Sequence, residues 1–367
     1  MLLYINGRPF EYNFTGVTRY TYTVLSHLDK LLSKGEYPGL QVILLASNLN
    51  QYSSLLKFKN IELRQIGTHH GCIWEQSDLL SYTKKHFLLS LHSLGPCLKK
   101  EQILVMHDAK TSRKGSFDQG ELRRYFHLVL NLILAKRVPK IIAISDFARK
   151  DIETGYYVSP DKIEVIHSGI EQVDSMSKEQ IDVTKRFHLL PSKYVFSVGG
   201  GRTKNNVLTA KAVESLQDDD LDFVLAGDVV SEVKDELQQY EHTHLVGRVS
   251  NEELAALYKS AFCYAFPSLS EGWGMPPLEA MEYGCPVIAS QCDSIPEVCG
   301  DGALYLNNPH DPSEMANKIN YLLHDMKLYN EMINKGYQNV RRFDWDTTTR
   351  KIMKVTLDEM EKQGCIK

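Results

Sequence analysis

The sequence predicts an α/β protein in two halves, on three observations. Short runs rich in Ile, Leu and Val alternate with stretches of helical periodicity along most of the chain. Those runs are continuous rather than alternately apolar and polar, as expected of parallel strands buried on both faces. At 367 residues the chain is too long for one ordinary core, and the alternation is interrupted across the polar stretch 171–185.

The elements follow in order. LLYIN (2–6) reads as a strand and 17–33 as a helix with apolar residues at helical spacing. Further strands are expected over 40–47, 61–66, 102–108, 140–145 and 162–168. Ser145 is placed to cap a helix beginning at Asp146. The second half repeats the scheme. It has a strand over 194–200, a helix over 206–216, strands over 222–228 and 244–249, a helix over 251–261 and the strand CYAF (263–266). A short helix over 277–283 and the strand PVIAS (286–290) follow, and a last helix is expected over 345–362.

Composition narrows the function classes. A 43% apolar and 24% charged chain is an ordinary globular one, and a net charge of −4 gives no general attraction to nucleic acid or membrane. The start, MLLYING, lacks the basic and apolar regions of a signal peptide, and no apolar run approaches the ~20 residues of a spanning helix. Seven scattered cysteines without CxxC spacing suit a reducing, cytoplasmic setting better than a disulfide framework or a metal site. Asp218, Asp219, Asp220 and Asp222 could be read as metal ligands, but between a helix end and a strand they read as a solvated turn, so no metal is expected.

The densest information lies in PSLSEGWGMPPLEAMEYGCPVIAS (267–290). It sets Glu271 and Glu279 eight positions apart around a Gly-Trp-Gly loop and a double proline. A strand precedes it, and a helix follows that Gly284 ends as a C′ glycine. Strand, glycine loop and helix N-terminus aim backbone N–H groups and a helix dipole at one point, which makes an anion site. Carboxylates on either side suggest a ligand with both phosphate and hydroxyls, as in a nucleotide sugar. Glu279 is expected in the first helical turn.

The pattern E-G-x-G-x-P-x-x-E followed by A-x-x-x-G-x-P-V-I-A-S resembles the signature of the retaining glycosyltransferases of family 4, carried here by Glu271, Gly272, Gly274, Pro276, Glu279, Ala280, Gly284, Pro286, Val287 and Ser290. The resemblance runs from about residue 1 to about 350 and is stronger in the second half. It implies the GT-B fold: two Rossmann-like domains facing each other across a cleft. Residues 1–170 would form an acceptor-binding domain and 186–344 the nucleotide-sugar domain. The helix from 345 would cross back to the first domain.

The same resemblance assigns roles. Glu279 would accept hydrogen bonds from the ribose diol, and Glu271 would face the donor sugar. Gly272 and the backbone N–H groups of Trp273, Gly274 and Met275 would hold phosphate or sugar. Leu278 is the next donor, since Pro276 and Pro277 have none. Lys204, in SVGGGRTKNN, would neutralise the diphosphate with Arg202 as second base, although the family often places an arginine where Gly200 stands. Gly16, in GVTRYTY, would let the backbone approach the phosphate, with Arg19 bracing the loop. His107, in VMHD, would reach the donor sugar. The region from VGRV (246–249) into the helix at Asn251 resembles the part that sandwiches the base, or is a plain strand-turn-helix.

The implied activity is a metal-independent, cofactor-free hexosyl transfer with retention of configuration. GDP-mannose is the first donor to consider. The acceptor would be a lipid-linked bacterial cell-surface saccharide such as O-antigen or capsule. A nucleotide-sugar 2-epimerase of the same fold and a catalytically silent nucleotide-sugar binding subunit are the alternatives. The helix ELRRYFHLVLNLILAKR (121–137) and the loop 110–115 give a local basic surface. That surface reads either as a solvated helix with an apolar core face or as a contact to anionic headgroups, which would make the protein peripheral on the cytoplasmic face of a membrane.

Overall fold

The computed structural model describes residues 1–11, 15–113, 120–170, 181–216 and 220–365. The chain divides into two compact units, 1–169 with 344–367, and 170–343. The linker expected over 171–185 lies mostly outside the described residues, as do Asp218, Asp219 and part of the 110–115 loop.

The first unit holds a seven-stranded, all-parallel sheet in the order β3-β2-β1-β4-β5-β6-β7. Its strands are β1 (Leu2–Asn6), β2 (Gln41–Ala46), β3 (Ile61–Gln65), β4 (Phe87–Ser90), β5 (Gln102–Met106), β6 (Lys140–Ala143) and β7 (Ile163–Val165). Registers such as Leu3↔Val42 and Leu3↔Phe87 place β1 between β2 and β4. Most of these residues are fully buried, which explains the continuous apolar runs, since a strand covered on both faces has no polar face to show. Helix α1 (Gly16–Ser33) follows β1. Helices α2 (Gly71–Trp74) and α3 (Leu80–Thr83) are joined without a break by a π-helical segment, Glu75–Leu79. Helix α4 (Glu121–Arg137) follows β5, and α5 (Asp146–Tyr156) is capped by Ser145, whose Oγ accepts from Ala148 N at 2.9 Å. The last helix of the chain, α14 (Trp345–Lys362), packs on α1 within this unit. There Asp346 pairs with His27, and Arg350 makes a bidentate pair with Glu36.

The second unit repeats the plan with six parallel strands in the order β10-β9-β8-β11-β12-β13. These are β8 (Tyr194–Gly200), β9 (Asp222–Val229), β10 (Thr243–Gly247), β11 (Cys263–Phe266), β12 (Val287–Ser290) and β13 (Ala303–Leu306). Helices α6 (Val183–Phe187), α7 (Asn206–Ser215), α8 (Ser231–Leu237), α9 (Asn251–Ser260), α10 (Met275–Glu282), α11 (Ile295–Cys299), α12 (Pro312–His324) and α13 (Met326–Val340) complete it. Its core joins Val195, Phe223, Leu225, Ala265 and Ile288 to Leu208, Ile319 and Leu322. Both sheets reverse direction of growth once, between β1 and β4 and between β8 and β11. Ligands of open α/β sheets bind outside the carboxyl ends of the strands at such a switch point.

Two expectations need correction. Helix α10 begins at Met275, not Pro277, because proline suits the first helical turn and both prolines sit inside it. Glu279 is therefore in the second turn, where the dipole contributes less. Helix α4 buries Leu134 and Ala135 at its C-terminal end but presents no continuous apolar face to the core. Its buried residues include Arg124, His127 and Asn131, while Leu122 (87%), Tyr125 (53%), Phe126 (52%), Val129 (53%) and Ile133 (43%) are exposed. Gly284 ends α10 at φ +73°, the left-handed conformation of a C′ glycine.

Candidate active site

In the second unit the switch point lies between the loop after β8 and the loop after β11. The β8 loop turns through Arg202–Lys204 and reaches α7 at Asn205, a non-glycine residue held at φ +55°. Its Nδ2 donates to Pro309 O at 2.6 Å and Pro267 O at 3.3 Å, so the left-handed residue is tied down by side-chain bonds. Leu269 N donates to Thr203 O at 2.8 Å and joins the two loops. Across that joint Lys204 Nζ donates to Glu271 Oε1 at 2.7 Å and also lies 5.1 Å over the Phe266 ring. Charge and ring quadrupole hold the ammonium at one place.

The β11 loop is fixed from below. Asp293 Oδ2 accepts from Glu271 N at 3.1 Å and from Ser270 Oγ at 2.6 Å. Ser294 Oγ is 2.8 Å from both Glu271 O and Trp273 O. Trp273 packs edge-on against Phe343, with ring centroids 5.3 Å apart. Gly274 at φ +112° turns the chain into α10, a conformation a side chain would strain. Of the first three helical positions of α10 only Met275 carries an N–H, since Pro276 and Pro277 have none. Leu278 itself is fully buried. Further along the helix, Glu279 Oε2 accepts from Tyr258 OH at 3.1 Å, and Tyr258 stacks on Tyr283 at 6.0 Å.

The sequence-predicted residues of this unit therefore separate. Lys204, Glu271, Gly272, Trp273, Gly274, Met275 and Glu279 share two adjoining loops and one helix. Arg202 does not join them: it is largely exposed, and its guanidinium pairs with Glu232 at 3.2 Å.

The other two sit in the first unit. Gly16 opens α1, whose N-cap Thr15 accepts from Thr18 N at 3.4 Å, and a Cβ at Gly16 would meet no atom within 4 Å. His107 follows β5, with its ring 4.8 Å from Tyr20 and edge-on to it. Its Nε2 is 3.3 Å from Leu91 O, and a carbonyl only accepts, so Nε2 carries the proton and Nδ1 the lone pair. Burial holds its pKa below the ordinary histidine value, which keeps the ring neutral.

Comparison with known proteins agrees with this arrangement. Residues 178–339, nearly all of the second unit, match the family of glycosyl transferases group 1. Over those residues the second unit is similar to the group 1 glycosyltransferases. It is 25% identical over 275 residues to the O-antigen chain mannosyltransferase RfbU of Salmonella typhimurium, covering 73% of this chain and 72% of that protein. It is 28% identical over 229 residues to the serotype-specific mannosyltransferase WbdA of Escherichia coli. That match covers 58% of this chain and spans only 28% of the relative's length. Among solved structures, HepE of Anabaena in complex with UDP-glucose superposes with a TM-score of 0.76 at 15% identity, over 98% of this chain and 100% of that one. WaaG, a glycosyltransferase involved in lipopolysaccharide biosynthesis, gives 0.71 at 14% identity over 97% and 99%. The fold is that of the two-Rossmann GT-B enzymes.

Sequence reasoning missed the supports of the site rather than its front. Asp293 and Ser294 brace the Glu271 loop, and Tyr258 holds the Glu279 carboxylate. Their signal was only that they follow or precede elements at the same sheet end.

Proposed function

We propose that the chain is a retaining hexosyltransferase. It would move a sugar from a nucleotide-diphosphate donor to a hydroxyl of a lipid-linked bacterial cell-surface saccharide, and GDP-mannose is the first donor to test. The observation that carries the reading is the 2.7 Å Lys204–Glu271 pair beside the N-terminus of α10. It puts an ammonium, free N–H groups and a hydroxyl-accepting carboxylate in one place. The mannosyltransferase relatives support the sugar.

In this reading Lys204 and the N–H groups of Gly274 and Met275 hold the diphosphate, and Glu279 accepts from the ribose diol. Glu271 faces the donor sugar. As the bond from C1 to the phosphate oxygen breaks, the ring takes oxocarbenium character. The acceptor oxygen bonds to C1 on the same face, and the departing phosphate oxygen takes the acceptor's proton. Cationic side chains and N–H dipoles aimed at the developing charge lower the barrier, so no metal and no cofactor is required.

The reading extends to a peripheral place on the cytoplasmic face of a membrane. Among the described residues no helix is long and apolar enough to cross one. The exposed apolar stripe of α4, flanked by exposed Arg123, Lys136 and Arg137, supports an interfacial contact with anionic lipid.

The test is a thermal-shift panel of GDP, UDP, ADP and CDP with and without EDTA, then the matching nucleotide sugars. A ligand that binds only the folded state raises the melting temperature according to its affinity. One nucleotide should give an EDTA-insensitive shift. A flat panel would remove the donor site and with it this function.

A further inference from the structure

Glu271 and Lys204 hold each other at 2.7 Å, so the carboxylate can turn to a donor sugar only by leaving its ion pair. What fixes Glu271 once that pair has parted lies in the neighbouring loop. Strand β11 pairs with β12 in parallel register, Phe266↔Ala289, so the loops that follow them leave the sheet side by side. The loop after β12 contributes Asp293 and Ser294, directly before α11.

These two residues hold Glu271 by its backbone on both sides. Asp293 Oδ2 accepts from Glu271 N at 3.1 Å and from Ser270 Oγ at 2.6 Å. Ser294 is fully buried, with its Oγ 2.8 Å from Glu271 O and 2.8 Å from Trp273 O. A hydroxyl has one hydrogen, so Ser294 donates to one carbonyl at a time and can follow a small shift of the loop without letting go. None of these bonds uses the Glu271 carboxylate. The side chain can turn about its own torsions while its Cα stays in place.

The backbone shows that this hold is strained. Asp293 sits at φ +50°, a left-handed conformation uncommon away from glycine. Asn205, beside Lys204, shares it at φ +55° and is likewise tied by its side chain. Strain of this kind gathers at functional sites and persists where the surroundings enforce it. Aspartate meets two demands at position 293. Glycine would take the φ without strain but offer no acceptor, and alanine would do neither.

We propose that Asp293, with Ser294 behind it, is a positioning residue of sugar transfer: it holds the Glu271 backbone while the carboxylate leaves Lys204 for a hydroxyl of the donor sugar. The inference rests on the transferase reading above, and Asp293 acts through Glu271 and not on the substrate itself. A reacting group displaced by about 1 Å can lose about 10²-fold in rate, so the effect falls on turnover rather than on nucleotide binding.

Steady-state kinetics on the full chain tests it, with GDP-mannose and UDP-glucose as donors, methyl α-mannoside as acceptor and nucleotide release as the signal. D293G leaves the backbone free to adopt φ +50° but removes the acceptor. Its kcat should fall about tenfold to hundredfold with little change in KM, and the nucleotide-induced melting shift should persist. D293N keeps both the acceptor and the backbone preference and should recover most of the turnover. In an E271Q background D293G should cost little more, because a residue that acts through Glu271 then has nothing left to position. If D293G does not fold, S294A decides by the same cycle. Full turnover in D293G, or an equal loss in the E271Q background, overturns the positioning role while a retained nucleotide shift leaves the transferase reading standing. A wild type that releases nucleotide from neither donor and gives no melting shift overturns both.

Discussion

Lys204 Nζ and Glu271 Oε1, 2.7 Å apart, join the loop after β8 to the loop after β11. A donor that uses both residues must part them, the ammonium turning to diphosphate and the carboxylate to sugar hydroxyls. The pair is thus a preformed cradle whose two halves neutralise each other until the ligand arrives. Replacing Lys204 with Met removes the cation that meets the leaving group. Turnover of the nucleotide sugar, followed as nucleotide release, should fall about 10²-fold or more. Glu271→Gln should lower turnover as well yet keep the nucleotide-induced melting shift, since its role is toward the sugar. Wild-type turnover in either variant would count against the assignment.

The carboxylate of Glu279 is aimed by Tyr258, whose hydroxyl donates to Oε2 at 3.1 Å. Hydrogen bonds to charged groups contribute about 1.5–3 kcal/mol, so Glu279→Gln should weaken nucleotide affinity by about tenfold to a hundredfold. Tyr258→Phe removes the aiming hydroxyl, which also bonds to Tyr264, and should cost about fivefold, in line with one ordinary hydrogen bond of about 1 kcal/mol. Calorimetric titration of the nucleotide selected by the thermal-shift panel measures both. Equal losses in the two variants would mean that Tyr258, not Glu279, touches the ribose.

How far the sequence reached depends on contiguity. The 267–290 segment was legible because strand, loop, helix and both glutamates follow one another in the chain, so spacing alone nearly fixes the geometry. Helix α10 starts two residues before 277 because Pro276 and Pro277 occupy its second and third positions, where their missing N–H groups cost no intrahelical bond. The four-residue β4, FLLS, escaped notice because so short a run carries no period, and β13, ALYL, did so for the same reason. Amphipathic spacing in α4 identified an apolar face but not its direction, and the direction is the unusual part. Arg8, Glu75 and His92 gave no signal at all. They meet only because β4 pairs beside β1, and neighbours that are not consecutive in the chain leave no local pattern.

Gly16 separates packing from function. A Cβ there would meet no atom within 4 Å, and the residue lies in the helix with no positive φ. Gly16→Ala should therefore leave stability unchanged or raise it by about 0.4–1 kcal/mol through the unfolded chain. If the backbone approaches the donor phosphate, the same substitution should lower nucleotide-sugar turnover. A more stable variant with full activity would release Gly16 from the site.

Glu75 makes the acid stability of the first unit predictable. Burial alone would raise its carboxyl pKa, but Arg8, then His92 and Asn6, outweigh burial and hold it below the ordinary value. A carboxyl depressed in the folded state contributes stability that is complete above its unfolded pKa, about 4.3, and is lost as pH falls through the lower native value. Melting temperature should drop steeply below about pH 4 in the wild type. Glu75→Ala removes the carboxylate that pairs with the buried Arg8 and should cost about 3–5 kcal/mol at neutral pH. It should also flatten the acid limb, and an unchanged limb would assign acid unfolding to other carboxyls.

The outward stripe of α4 predicts lipid binding of a particular kind. Leu122, Tyr125, Phe126 and Val129 lie on the solvent side, and exposed Arg123, Lys136 and Arg137 stand beside them. An interfacial helix gains from burying apolar area and from attraction to anionic headgroups, and salt screens only the second. Vesicles containing phosphatidylglycerol should therefore sediment the protein, high salt should weaken the association in part, and neutral vesicles should bind less. Leu122→Ser with Val129→Ser removes apolar area and leaves in place Arg124, Asn131 and His127, the last in edge-on contact with Phe126, so the fold and the nucleotide shift should survive while sedimentation falls. Full binding by that double variant, or binding abolished by salt alone, would show that charge and not the apolar stripe makes the contact.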